Sequence, residues 1–240
     1  MIDFAKFSSI FVANWKLNGN LEFIDKYIDA LKNKPATKNC VILCPPYVYI
    51  NNIRSKSHFF VGAQDVSHKE EGAFTGEVSA KMLSDLSVKF CIIGHSERRQ
   101  HFYEKNSDIK IKARLLIENE IIPIICVGEN EEQKNLNLTN KVIFSQLEEC
   151  LPDISNSKNT IIAYEPIWSI GTGATPKLEE IESCIFELKN YQKMENYKIL
   201  YGGSVNFSNS GNICNLNSVD GVLIGGASLK IEEFSQIINY

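Results

Sequence analysis

The stretch Thr160-Ile161-Ile162-Ala163-Tyr164-Glu165-Pro166-Ile167-Trp168-Ser169-Ile170-Gly171-Thr172-Gly173 joins an apolar, β-rich run to a carboxylate and then to a glycine-rich loop. The run 160–164 has the length and composition of a buried strand, and Pro166 forbids further ladder pairing. Glu165 therefore stands at the C-terminal rim of a strand. A carboxylate there is costly to desolvate unless it is paired or used, which marks Glu165 as a candidate base beside a lid. The alternative is a glutamate that caps a helix or accepts loop amides.

The same unit, a short β-rich run followed by a turn and an amphipathic stretch, occurs eight times along the chain. The strand candidates are 10–13, 41–44, 59–63, 90–93, 121–127, 160–164, 199–201 and 219–224, and the clearest helical periods cover 20–32, 107–118, 140–151, 178–194 and 231–238. Alternating β and α with strands buried on both faces implies a parallel sheet. Eight such units in 240 residues have the size of a closed (β/α)8 barrel, one domain spanning 1–240. A doubly wound open sheet is the other arrangement, but it gathers its polar and glycine-rich turns at one switch point, whereas here they follow strand after strand.

Composition agrees with one domain, since a chain 44% apolar and of this length buries a sizeable core and leaves little for a second. Net charge is only −4 and no Lys/Arg cluster stands out, so neither nucleic acid nor a membrane surface is an expected partner. Met1-Ile2-Asp3-Phe4-Ala5-Lys6 lacks a basic region followed by a long apolar run, and no segment reaches the ~20 apolar residues of a spanning helix. The expectation is a soluble, cytoplasmic protein. Seven cysteines without a C-x-x-C, with Cys40, Cys44, Cys91 and Cys126 inside apolar runs, suit reduced buried thiols better than disulfides or a metal site.

Barrel enzymes collect their chemistry on the loops after the strands. Here the strands end in Asn14-Trp15-Lys16, Gln64-Asp65, Gly94-His95-Ser96-Glu97-Arg98, Cys126-Val127-Gly128-Glu129, Glu165, Gly202-Gly203-Ser204 and Gly225-Gly226. A barrel brings these onto one face, where a lysine, a histidine, a glutamate and glycine-rich turns form a phosphate and acid/base site.

With the motifs Ala13-Asn14-Trp15-Lys16-Leu17-Asn18, Gly72-Ala73-Phe74-Thr75-Gly76-Glu77, Gly94-His95-Ser96-Glu97-Arg98-Arg99, Tyr164-Glu165-Pro166-Ile167-Trp168 and Tyr201-Gly202-Gly203-Ser204-Val205, the sequence resembles the triosephosphate isomerase family over nearly its whole length. The resemblance implies interconversion of dihydroxyacetone phosphate and glyceraldehyde 3-phosphate, without cofactor or metal, by proton transfer through an enediolate. It gives Glu165 the role of base, His95 that of hydrogen-bond donor and proton shuttle, and Lys16 that of a fixed positive charge. Asn14 is expected to orient Lys16 or touch substrate. Glu97 either holds Lys16 in place or assists proton transfer, the rival being a structural pair with an arginine. Ser96-Glu97-Arg98 reads as a helix start whose dipole holds the imidazole neutral.

Gly171, Ser204, Gly225 and Gly226 match the family's amide donors to the phosphate, and Ala227-Ser228-Leu229 opens a short helix facing it. Gly202 and Gly203 either serve the site or merely turn the chain. The resemblance also makes 166–176 an active-site lid and 65–78 a protruding loop that plugs into a second subunit, giving a homodimer in which Thr75 reaches the partner's site and Glu77 pairs with Arg98 of one chain or the other. Two departures stand out. The lid's C-terminal hinge, after Gly173, is two residues shorter than the commonest family pattern and carries no lysine, and Asp65 stands where the family commonly has Asn. A carboxylate so near an anion site is expected to face a backbone amide or a cation.

Overall fold

In the computed structural model, which describes residues 2–32, 38–171 and 175–239, eight strands carry the apolar runs. They are β1 (Ile10–Asn14), β2 (Cys40–Cys44), β3 (Phe60–Ala63), β4 (Phe90–Ile93), β5 (Ile122–Val127), β6 (Ile161–Tyr164), β7 (Lys198–Tyr201) and β8 (Gly221–Ile224). Neighbours pair in parallel and in chain order. β8 returns to β1, with Gly221 opposite Ile10 and Ile224 opposite Ala13, so the sheet closes into the expected (β/α)8 barrel.

Parallel pairing needs a crossover after each strand, and helices supply it. Among the described residues these are α1 (Leu21–Lys32), α2 (Ile50–Lys56), α3 (Ala80–Asp85), α4 (Ser96–His101), α5 (Asn106–Glu118), α6 (Glu131–Asn135), α7 (Thr139–Cys150), α8 (Leu178–Asn190), α9 (Phe207–Cys214) and α10 (Ile231–Ile237). None of the described helices is long and apolar enough to cross a membrane.

Successive side chains of a strand point to opposite faces, and here each face has its own core. Ile10, Val12, Ile42, Phe90, Ile92, Ile124, Ile161 and Leu200 fill the barrel interior, with Phe4 packed on Phe90 from outside the strands. Phe11, Ala13, Leu43, Cys91, Ile93 and Ile125 look outward and are covered by helices. Each buried isoleucine contributes about 1.5–3 kcal/mol of transfer free energy, so the runs that mark the strands also hold the barrel together. All seven cysteines are free, five of them buried, as the apolar settings suggested.

Helix α1 shows how the sequence sets an element. Ile24, Tyr27, Ile28 and Leu31 are buried at the i, i+3, i+4, i+7 spacing of one face, and the Asn20 side chain caps the start by accepting the Phe23 amide at 2.8 Å. Two expected elements end elsewhere. The period of 178–194 runs past the end of α8, because Tyr191 turns extended, stacks on Phe144 at 3.9 Å between ring centroids and gives its hydroxyl to Glu148, while Met194 is buried from the following turn. β8 begins at Gly221 rather than 219, since Asp220 is drawn aside to accept the Ile199 amide and to pair with Lys189 and Lys198.

Candidate active site

Three barrel strands and the turns after them deliver the candidate acid/base groups. Glu165 follows β6 and is 2% exposed; its amide donates to Val127 at 2.8 Å, which extends the β5–β6 ladder by one residue and fixes where the side chain leaves the rim. One carboxylate oxygen accepts the Ser96 amide at 3.2 Å, and the other lies 3.2 Å from His95 Nε2. Ser96 is the first residue of α4, so this carboxylate rests against the positive end of a helix.

Glycine is required on both sides of this carboxylate. A Cβ at Gly128 would lie 1.8 Å from the Glu165 carbonyl oxygen, and one at Gly202 would lie 2.9 Å from Glu165 Cγ. Gly202 therefore packs directly against Glu165 and lines its cavity, beyond turning the chain.

His95 caps α4 with its ring. Its Nδ1 accepts the Glu97 amide at 3.2 Å, which needs a lone pair on that nitrogen, so the neutral ring carries its proton on Nε2, the atom aimed at Glu165. The expected helix start at Ser96 is present, and it selects the tautomer as well as the position.

Lys16 adopts a φ of 53°, a left-handed conformation costly for a lysine. Two neighbours hold it there. Its amide donates to Asn14 Oδ1 at 3.1 Å, and Gln64 Nε2 donates both to the Lys16 carbonyl at 2.9 Å and to the Cys44 carbonyl at 2.8 Å. The Lys16 ammonium meets Glu97 at 2.5 Å, which settles Glu97 as the partner of Lys16 rather than of an arginine. Burial pushes the Glu97 carboxyl up, but the hydrogen bond and charge of Lys16 are among the effects that outweigh it, and the group ends below its ordinary range.

Asn14, Lys16, His95, Glu165, Gly171, Ser204, Gly225 and Gly226 all line one cavity of about 380 Å³ at the C-terminal rim. Glu97 does not line it and stands behind Lys16. A turn of 3₁₀ helix, Gly226–Leu229, borders the cavity where a short helix was expected; the Tyr27 hydroxyl donates to its Ser228 carbonyl at 2.7 Å, tying the turn to α1. Sequence reasoning did not foresee Asn206, Lys230 and Glu233 on the same wall. Nor did it foresee the grip of Gln64 on Lys16, although Gln64 sits at a strand end, which is the signal that picked out the others.

Asp65 meets the cations it was expected to face: Lys112 Nζ at 2.6 Å and Arg98 Nε at 2.8 Å. Arg98 is thus engaged by Asp65 and, at 3.7 Å, by Glu104 of its own chain, while Glu77 is exposed, so the intrachain Glu77–Arg98 pair is not formed. Residues 172–174, which carry the tip and the shortened hinge of the expected lid, lie outside the described residues.

A buried carboxylate and an imidazole nitrogen 3.2 Å apart on a glycine-lined cavity at the C-terminal rim are the arrangement of a barrel enzyme that moves protons on a small anionic substrate. Residues 9–240 match the profile of a family described as triosephosphate isomerase. Relatives carrying that name include those of Clostridium tetani, 38% identical with 97% of this chain and 96% of the relative covered, and Baumannia cicadellinicola, 40% identical with 95% and 94% covered. A third, from Buchnera aphidicola of Schizaphis graminum, is 39% identical with 95% and 96% covered. The chain belongs to the triosephosphate isomerase family.

Proposed function

We propose that the chain interconverts dihydroxyacetone phosphate and glyceraldehyde 3-phosphate with Glu165 as the base that carries the proton between carbons. The observation that carries this assignment is the 3.2 Å approach of His95 Nε2 to the Glu165 carboxylate inside the glycine-lined cavity. A substrate entering the cavity replaces this direct contact, so that the carboxylate meets its carbon and the imidazole N–H meets its oxygen. Glu165 takes the proton from the carbon next to the carbonyl, the electron pair passes to the carbonyl oxygen, and the same carboxyl returns the proton to the neighbouring carbon. The reaction is redox-neutral and its proton balance closes on Glu165 and His95, so no cofactor or metal enters.

Charge develops on the oxygen, where the Nε2 proton of His95 and the ammonium of Lys16 stabilise it. Asn14 and Glu97 act as positioning groups for Lys16. The backbone amides around Gly171, Ser204, Gly225 and Gly226 take the phosphate, and Lys16, whose Cε would lie 3.3 Å from a Cβ at Gly225, spans from the phosphate end to the reacting end. Residues 166–176 act as the lid that excludes water, which a carboxylate needs in order to act on a carbon acid.

The chain works as a homodimer through 65–78. Phe74 at the tip of that segment is 44% exposed and lines one hollow with Phe102 and Tyr103, which are more exposed still, as are Leu17 and Val48; exposed apolar side chains of this kind suit cover by a second subunit. In the dimer Thr75 reaches the partner's site, and Glu77 is free to meet the partner's surface.

Glu165→Gln keeps the side chain's shape and removes the base. The expected result is a fall in kcat of about 10²-fold or more with KM little changed, and His95→Asn lowers kcat as well. Near-normal turnover of the glutamine variant would overturn the assignment of the base.

A further inference from the structure

Trp168 stands three residues after Glu165 in the 3₁₀ turn Ile167–Ser169, and two neighbours hold its indole from different directions. Along the edge, the indole N–H donates to a Glu129 carboxylate oxygen at 2.9 Å. Over the face, the Lys134 ammonium lies 3.3 Å from the centroid of a ring of the indole. Both come from the β5 side: Glu129 follows the strand, Asn130 caps α6, and Lys134 sits on α6. Glu129 holds the turn by its backbone too, since the Ile167 amide donates to the Glu129 carbonyl at 3.0 Å.

We infer that Lys134 is a positioning residue of this enzyme, clamping Trp168 against Glu129 so that the start of the lid, and with it Glu165, is held ready for the reaction. This rests on the reading of 166–176 as the lid. The clamp works in two ways. An ammonium over an indole face is the strongest common cation–π pair, and here the lysine side chain is only 33% exposed, which lessens competition from water. The same charge also sustains the edge contact. Glu129 is 1% exposed, and one of its oxygens is buried without a hydrogen-bond partner. Burial raises its carboxyl above the ordinary range while Trp168, Tyr164 and Lys134 counter it, so Lys134 helps keep the acceptor ionised.

A cavity of about 330 Å³ beside the indole, lined by Lys134, Glu180 and Cys184 among others, gives the ring room to leave this position if the clamp is lost. Glu180 does not take the lysine away, since it stays 3.9 Å from Nζ. A freed ring lets the turn sample many geometries. Only a fraction of them place Glu165 and the lid productively, so the competent state becomes rarer and apparent binding and turnover both suffer.

The test is steady-state kinetics of the full enzyme carrying Lys134→Met, Lys134→Arg, Trp168→Leu and the Lys134→Met/Trp168→Leu pair, alongside thermal unfolding of each. Lys134→Met is expected to lower kcat/KM about three- to tenfold, with kcat falling and KM rising, at unchanged melting temperature; Lys134→Arg restores most of the loss. If Lys134 acts through the indole, the methionine change costs nothing further once Trp168→Leu is present. Wild-type kinetics in Lys134→Met, or the same fold-loss in both backgrounds, would overturn the inference. Trp168→Leu kinetics equal to wild type would instead overturn the lid reading beneath it.

Discussion

At the scale of single residues, the site is governed by how closely groups approach Glu165. Gly202→Ala puts a methyl 2.9 Å from Glu165 Cγ and must turn the carboxylate away from His95 and the Ser96 amide. Misplacing a base by about 1 Å costs on the order of 10²-fold, so kcat should fall ten- to a hundredfold while inorganic phosphate still competes with substrate as in wild type. Steady-state rates with phosphate as inhibitor check this, and an alanine variant with full kcat would refute the steric account.

Much of this scale was legible in the sequence: Glu165, His95 and Lys16 stand at strand ends among glycines, where a barrel gathers its chemistry. What was not legible is which atom each neighbour addresses. Glu97 could serve either Lys16 or an arginine until the fold brought it to 2.5 Å from the lysine, and the double grip of Gln64 depends on a left-handed Lys16 that no pattern announces.

At the scale of elements, the segment 65–78 begins on a buried charge cluster. Lys112 of α5, 4% exposed, meets Asp65 at 2.6 Å and also Glu104. Burial raises the Asp65 carboxyl, only partly offset by Lys112 and Arg98; a carboxyl raised on folding contributes stability below its unfolded pKa and loses it as pH rises through the folded value. Lys112→Met strips the cluster of its most buried cation and leaves Asp65 and Glu104 to share Arg98 alone, a loss of about 3 kcal/mol near neutral pH. Lowering the pH from neutral into the acidic range should shrink the loss, because the raised Asp65 carboxyl takes up a proton in the folded variant more readily as pH falls. Urea unfolding at neutral and at acidic pH measures this, and a loss that grows on acidification contradicts it.

Element boundaries show what periodicity can and cannot carry. α1, α5 and α7 lie within one residue of their expected spans because three or four turns of apolar spacing are a strong signal. α2, α3, α6 and α9, five to eight residues long, are too short to show a period of their own. α8 was drawn too long because Met194 keeps the spacing after Tyr191 has already left the helix.

At the scale of the molecule, the closed barrel was readable because eight apolar runs each met a polar or glycine-rich turn, and the pairing of β8 with β1 completes that pattern. The proposed dimer follows from what one chain leaves uncovered. Light scattering should give twice the 27.1 kDa of a single chain, and Phe74→Asp should lower both that mass and the specific activity at low enzyme concentration. A monomer with full activity would refute the dimer.

The most direct test of the central claim, proton transfer by a carboxylate through an enediolate, is to convert glyceraldehyde 3-phosphate in deuterated water and locate the label. The proton on Glu165 exchanges with solvent before it is returned, so the dihydroxyacetone phosphate formed should carry deuterium on its hydroxymethyl carbon, and Glu165→Gln should suppress labelling and turnover together. Product free of solvent deuterium together with undiminished turnover in Glu165→Gln would mean that hydrogen passes directly between the carbons, and would contradict the account.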